Sequence, residues 1–150
     1  METRIEHMND HFTKLHLIGF STPMVLHEFT AAYGPASDFH DHPFAASIQI
    51  LDGGYVEEVL IPEHPEWAPV RVVRRVGDKF VNGAGTVHRI VELLDGPVLT
   101  LFRPFAHERD SGFYRVHEGR TLHRYWFEGR DNPDLWYPWP RQTEQEGVRL

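Results

Sequence analysis

The chain has 150 residues, 41% of them hydrophobic and 25% charged, which is the balance of one folded domain and too short for two ordinary ones. A formal charge of -7 gives no broad attraction to nucleic-acid phosphates or anionic lipid, so neither is an expected partner. With no cysteine, disulfides, thiolate metal ligands and a cysteine nucleophile are all excluded.

Ile5, Met8, Phe12 and Leu15 recur at near-helical spacing, which predicts an amphipathic helix over Glu2 to Leu15 inside an N-terminal extension, 1–20. That extension carries charges throughout, and no later stretch approaches the ~20 apolar residues of a membrane span, so the expectation is a soluble, cytoplasmic protein. From Met24 the texture changes to short apolar runs broken by Gly, Pro and Asp, the pattern of an all-β barrel or sandwich over 21–130. Strands are expected at 24–30, 38–42, 45–51, 55–61, 70–76, 86–93, 97–103 and 122–127. Asp52-Gly53-Gly54 reads as a hairpin turn, because glycine supplies the positive φ that such turns need. Pro62 to Pro69 reads as a loop, and 131–150 as an irregular tail rich in Trp and Pro.

Eleven histidines raise the question of which ones converge. His40 and His42 are two apart in an expected strand, so both side chains leave the same face, about 6 to 7 Å apart along the chain, while Asp41 points the other way. The best third partner is His88, which follows Gly83-Ala84-Gly85 at the start of another strand.

These residues resemble the cupin superfamily. Its first motif runs Gly, five residues, His-x-His, three or four residues, Glu, six residues, Gly, and Gly34, His40, His42 and Gly53 or Gly54 fall in place. Its second runs Gly, five residues, Pro-x-Gly, two residues, His, three residues, Asn, and Gly77, Gly85 and His88 match. The resemblance implies a double-stranded β-helix, a jelly-roll-like barrel, with a metal in its mouth. This chain departs from the pattern where the family glutamate falls on Ala46 or Ser47, where Gly83 replaces the proline, and where Glu92 replaces the asparagine. What remains is a three-histidine site, similar to that of cupin dioxygenases, for a divalent transition metal: Fe(II) is favoured, and Ni, Mn or Zn fit the same donors. Three neutral imidazoles leave the full charge on the ion, which favours a small anionic chelating substrate.

Four further residues are candidates for the chemistry. Asp38 shares strand parity with His40 and could orient that imidazole. Gln49, flanked by Ile48 and Ile50, is read as facing the pocket, and Arg103 and Tyr114 could hold an anionic substrate. His7 and His11 have the spacing of a metal clip but no partner carboxylate, and Arg71, Arg74 and Arg75 read as the solvated face of one strand. Trp126, Trp136 and Trp139 form an aromatic cluster expected to pack on the barrel or within a homodimer. The functional expectation is a metal-dependent dioxygenase; a non-catalytic metal- or ligand-binding protein and a metal-free isomerase or epimerase remain open as alternatives.

Overall fold

A computed structural model describes residues 2–150, and in it the expected N-terminal helix is a β-hairpin. Strands β1 (Glu2–Asn9) and β2 (Phe12–Ile18) pair antiparallel, and Ile5 lies directly opposite Leu15. The four apolar residues that suggested a helical stripe are thus split between two strands. The overlooked signal is Asn9-Asp10: the Asn9 side chain accepts a hydrogen bond from the His11 amide at 2.8 Å, a local turn that competes with helix. β1 is exposed along nearly its whole length, with Ile5 62% accessible, so no core demanded a helical face there.

Twelve further strands follow: β3 (Met24–Phe29), β4 (Phe39–His40), β5 (Ala46–Asp52), β6 (Tyr55–Leu60), β7 (Val70–Arg74), β8 (Lys79–Asn82), β9 (Val87–Leu93), β10 (Val98–Pro104), β11 (Gly112–His117), β12 (Arg120–Tyr125), β13 (Leu135–Pro138) and β14 (Val148–Arg149). They form two antiparallel sheets, ordered β1-β2-β3-β10-β5-β8 and β14-β13-β12-β11-β4-β9-β6-β7. Among the described residues there is no helix, and so none long and apolar enough to cross a membrane.

Alternation sets the two faces. In β5, Ala46, Ile48 and Ile50 are buried while Ser47 and Gln49 are not, and these inward residues meet Val25, Phe29, Val98 and Phe102 of the same sheet and Tyr55 of the other. The main core therefore lies between the sheets. A second cluster, Phe39, Leu60, Val87 and Tyr114 with Trp139 against it, covers the opposite face of the larger sheet. Gly53 and Gly54 both have positive φ, and a Cβ on Gly54 would come within 2.7 Å of the Arg74 carbonyl, so the hairpin turn needs glycine on both counts.

The tail is not irregular throughout. β13 joins β12, and Trp136 is 1% accessible, bracketed by the guanidiniums of Arg115 at 4.6 Å and Arg124 at 4.3 Å from its ring. Of the three tryptophans expected to pack on the barrel or within a homodimer, Trp136 is buried within the chain, Trp139 packs on the second cluster, and Trp126 is exposed.

His123, in β12, is 2% accessible, with Arg141 Nη1 3.3 Å from its Nδ1 and Tyr114 and Tyr125 edge-on to its ring. Burial, then the Arg141 charge, brings it down to about 4 from 6.5, against a weaker pull upward from Glu128. Between those pH values the unfolded chain binds the extra proton and the folded chain does not. Stability therefore falls as pH drops below about 6.5 and stops falling on this account below about 4. We predict that metal-free protein loses up to about 1.4 kcal/mol per pH unit from this one residue, and that His123→Gln makes the denaturation midpoint measurably less pH-dependent between pH 6.5 and 5.

Candidate metal centre

His40 sits directly opposite His88 across β4 and β9, and Phe113 of β11 lies opposite His40 on its other side. Cross-strand neighbours on one face have Cβ atoms about 4.5 to 5.5 Å apart, so the pairing register alone brings the two imidazoles together; their ring centroids are 4.7 Å apart. His42 lies just past the end of β4. Its backbone amide donates to the Ala84 carbonyl at 3.2 Å, and Thr86 N–H closes the same turn onto the Gly83 carbonyl at 3.1 Å. The glycine-containing turn that launches His88 thus also seats His42. Gly83 and Gly85 do this without positive φ.

Between the two histidines, Asp41 is 3% accessible and points to the opposite face. Its carboxylate accepts from Gly112 N–H at 2.7 Å and Tyr114 O–H at 2.8 Å, and lies 2.9 Å from Arg109 Nη2. Burial pushes its pKa up, while these three donors favour the charged form. Removing them would leave a buried carboxylate uncompensated, which costs several kcal/mol. The clamp therefore pins the His-x-His segment to β11.

Among the described residues, His40, His42 and His88 are the one group of three potential ligands, with one nitrogen from each inside a 4.8 Å set. His42 Nε2 and His88 Nε2 are 2.9 Å apart. Two imidazole nitrogens bound at ~2.1 Å and at right angles to one ion would be separated by about 3.0 Å, so this pair already has the spacing of adjacent metal ligands. Burial, then His88 and His42, holds His40 well below its ordinary pKa, and burial, then His88, brings His42 to about 4. Both are neutral at physiological pH, the form that ligates.

Behind His88 stands Glu57, fully buried, with Oε2 3.5 Å from His88 Nδ1 and Oε1 accepting from Arg74 at 3.2 Å. Neither His88 Nδ1 nor Glu57 Oε2 makes a hydrogen bond, and at 3.5 Å each is the polar atom the other faces. Burial alone would raise the Glu57 pKa, but His88 and Arg74 outweigh it and hold the carboxyl below its ordinary value. A carboxylate can only accept here, so the His88 proton belongs on Nδ1 and the Nε2 lone pair faces the other imidazoles. The donor set fits a divalent transition ion.

The three histidines open into a cavity of about 450 Å³ between the sheets, walled largely by Phe12, Phe29, Phe102, Ile48, Ile90 and Phe113. A space of that size and lining suits a small molecule.

The other expected residues are placed differently. Asp38 lines the cavity, but its carboxylate is gripped by Arg115 at 2.7 and 3.1 Å and makes no bond to His40. Gln49 alternates with buried Ile48 and Ile50 and so projects from the opposite face of β5, away from the cavity. Arg103 is exposed beside buried Phe102, and Tyr114 is committed to Asp41 on the far face of the sheet. Of the two positions for the family glutamate, Ala46 faces inward and Ser47 outward. Glu92 is at the surface, 3.6 Å from Arg71, and His7 is on the exposed hairpin.

Glu57 and Arg74 escaped the sequence reading. Arg74 was grouped with a solvated stripe, yet it stacks 3.5 Å over Phe80 and reaches the buried Glu57. A usable signal was present: Glu57 shares strand parity with Tyr55 and Val59 and so belongs to the inward set.

By sequence, no protein-family model and no curated protein matches the chain. By structure, it is similar to hydroxypropylphosphonic acid epoxidase from S. wedmorenis, with a TM-score of 0.56 and 14% identity over 69% of this chain and 56% of that one. It is likewise similar to the Fe(II) form of HppE, with a TM-score of 0.55 and 13% identity over 69% of this chain and 57% of that one. A protein provisionally assigned as a mannose-6-phosphate isomerase, from Ralstonia eutropha JMP134, gives a TM-score of 0.51 and 16% identity over 67% of this chain and 89% of that one. The chain thus spans little more than half the length of the epoxidase. At these identities the likeness is one of fold, and the fold is a cupin-like barrel of two antiparallel sheets around a histidine triad.

Proposed function

We propose that this chain is a mononuclear non-haem metal enzyme of the dioxygenase type, with Fe(II) as the favoured ion on His40, His42 and His88 and a small anionic chelating molecule as substrate. The observation that carries the reading is the convergence of three imidazoles, two of them held neutral by burial, at the wall of an aromatic cavity. The fold it shares with iron-loaded HppE adds support.

A divalent ion there supplies Lewis acidity and, as iron, one-electron exchange with dioxygen. The protein's own part is to present three lone pairs at fixed angles. Glu57 keeps the His88 proton on Nδ1 and stabilises positive charge on that ring, and Arg74 keeps Glu57 ionised. No protein carboxylate joins the ligand set, so an anionic substrate meets an undiminished positive charge. The phenylalanine walls exclude water around the reacting groups and strengthen that attraction.

Two experiments test this. Elemental analysis and calorimetric titration of untagged protein should give one ion per chain, with occupancy sharply lower in His88→Ala and unchanged in a His7→Ala/His11→Ala variant. Oxygen uptake by the Fe(II) form should then require a β-diketone or 2-hydroxy-acid co-substrate. Uptake that no such anion stimulates would remove the dioxygenase reading, and stoichiometry unaffected by His88→Ala would remove the centre itself. For the positioning carboxylate, Glu57→Gln should weaken metal binding by about 10- to 100-fold without loss of the folded circular-dichroism spectrum.

A further inference from the structure

The wall of the cavity opposite the histidines is built from the inner face of the first sheet, and one row across it is polar. Lys14 in β2 pairs with His27 in β3, and His27 pairs with Thr100 in β10. All three line the cavity, in surroundings otherwise supplied by Phe12, Phe29 and Phe102. His27 is 9% and Thr100 2% accessible. Among the side-chain hydrogen bonds of the described residues, none involves Lys14, His27 or Thr100, and none of the three is among the fully sealed polar atoms that lack a partner, so their polar groups are open to the cavity they line. The His27 ring is fixed by a stack on Phe102 at 4.5 Å and an edge contact with Phe12 at 5.0 Å, so its orientation is set by packing alone.

Charge singles out Lys14 within this row. The cavity lining contains two formal cations, Lys14 and Arg124, and one acid, Asp38. Asp38 is neutralised by Arg115. Arg124 is spent on the Pro133 carbonyl and the Trp136 ring. Glu6 lies directly opposite Lys14 across β1 and β2 but gives its carboxylate to His16 at 3.0 Å; Lys14 makes no ion pair within 4 Å among the described residues and rests with Nζ 5.6 Å from the Phe12 ring centroid, so it is the cavity's cation without a bonded partner.

We propose that the Lys14–His27–Thr100 row is an anion-recognition surface facing the histidine triad, and that the chelating substrate carries a second polar group, a carboxylate that rests on Lys14, joined to its metal-binding end by an aryl or alkyl body lying among the phenylalanines. Lys14 supplies the charge, and the Thr100 hydroxyl and His27 supply directed hydrogen bonds that the protein leaves unmade. The N-terminal hairpin thereby gains a role: β2 exists to carry Phe12 and Lys14 into the cavity. This inference deepens the reading of the cavity as the substrate pocket of the proposed enzyme, but it does not depend on which metal is bound.

The test uses full-length protein stripped of metal with a chelator, with 3-phenylpropionate and its neutral isostere 3-phenylpropionamide as probes in calorimetric titrations. A charge-assisted contact is expected to favour the carboxylate over the amide by about tenfold or more. Lys14→Met should abolish that preference while lowering amide affinity by a much smaller factor than acid affinity, Lys14→Arg should retain it, and Thr100→Val should reduce it by a smaller factor. Equal binding of acid and amide, no binding of either, or a Lys14→Met variant that keeps the preference would each overturn the proposal. Because the titrations are done without metal, failure of the metal-centre reading leaves these affinities in place, and failure of the anion surface leaves the metal stoichiometry in place.

Discussion

The site depends on a carboxylate that never enters it. Strand alternation sends His40 and His42 to one face and Asp41 to the other, where Gly112, Tyr114 and Arg109 surround it. Two of these partners come from β11, and the Asp41 amide donates in return to the Gly112 carbonyl at 3.2 Å. The short β4 makes few ladder bonds of its own, so this buried pairing supplies the positional energy that its length cannot. Gly112 is required at the junction, since a Cβ there would run into the His123 ring. The clamp thus ties the His-x-His segment to the second cluster, and through β12 to the C-terminal strand.

The charge arrangement around the histidines is asymmetric. His40 and His42 are kept neutral by burial first and by the neighbouring imidazoles second, whereas His88 is backed by an ionised Glu57 that Arg74 sustains. That imidazole alone of the three has a carboxylate behind it to set its orientation. The opposite wall holds its own polar row in an aromatic frame, so an apolar middle separates the three imidazoles from Lys14, and with an ion on the imidazoles the cavity would favour molecules with two electron-rich groups over simple hydrocarbons.

Much of this was legible in the residues. His40, His42 and His88 followed from strand parity and the spacing of glycines, and all eight expected strands exist, with boundaries shifted by a residue or two. The N-terminal segment was misread because a hairpin with apolar residues on both arms reproduces a spacing of three and four, and only the Asn9 turn separates the two readings. Gln49 and Arg103 were misplaced for a related reason: their polarity suggested function, while the parity of Ile48 and Phe102 had already assigned them outward. The inward face of Glu57 was legible from strand parity, but the partners of Asp38, Glu57 and Arg74 were beyond local reasoning, because they lie 77, 31 and 17 positions away on separate strands.

The central claim is that three imidazoles, and no protein carboxylate, bind a single ion. X-ray absorption at the metal edge of protein loaded with one equivalent of Fe(II) or Co(II) reads the ligands directly. The geometry predicts multiple-scattering from three imidazole rings, with the remaining first-shell scatterers exchangeable for water or added anion. A spectrum fitted by one imidazole or none, or by a protein carboxylate that persists when anions are added, would contradict it.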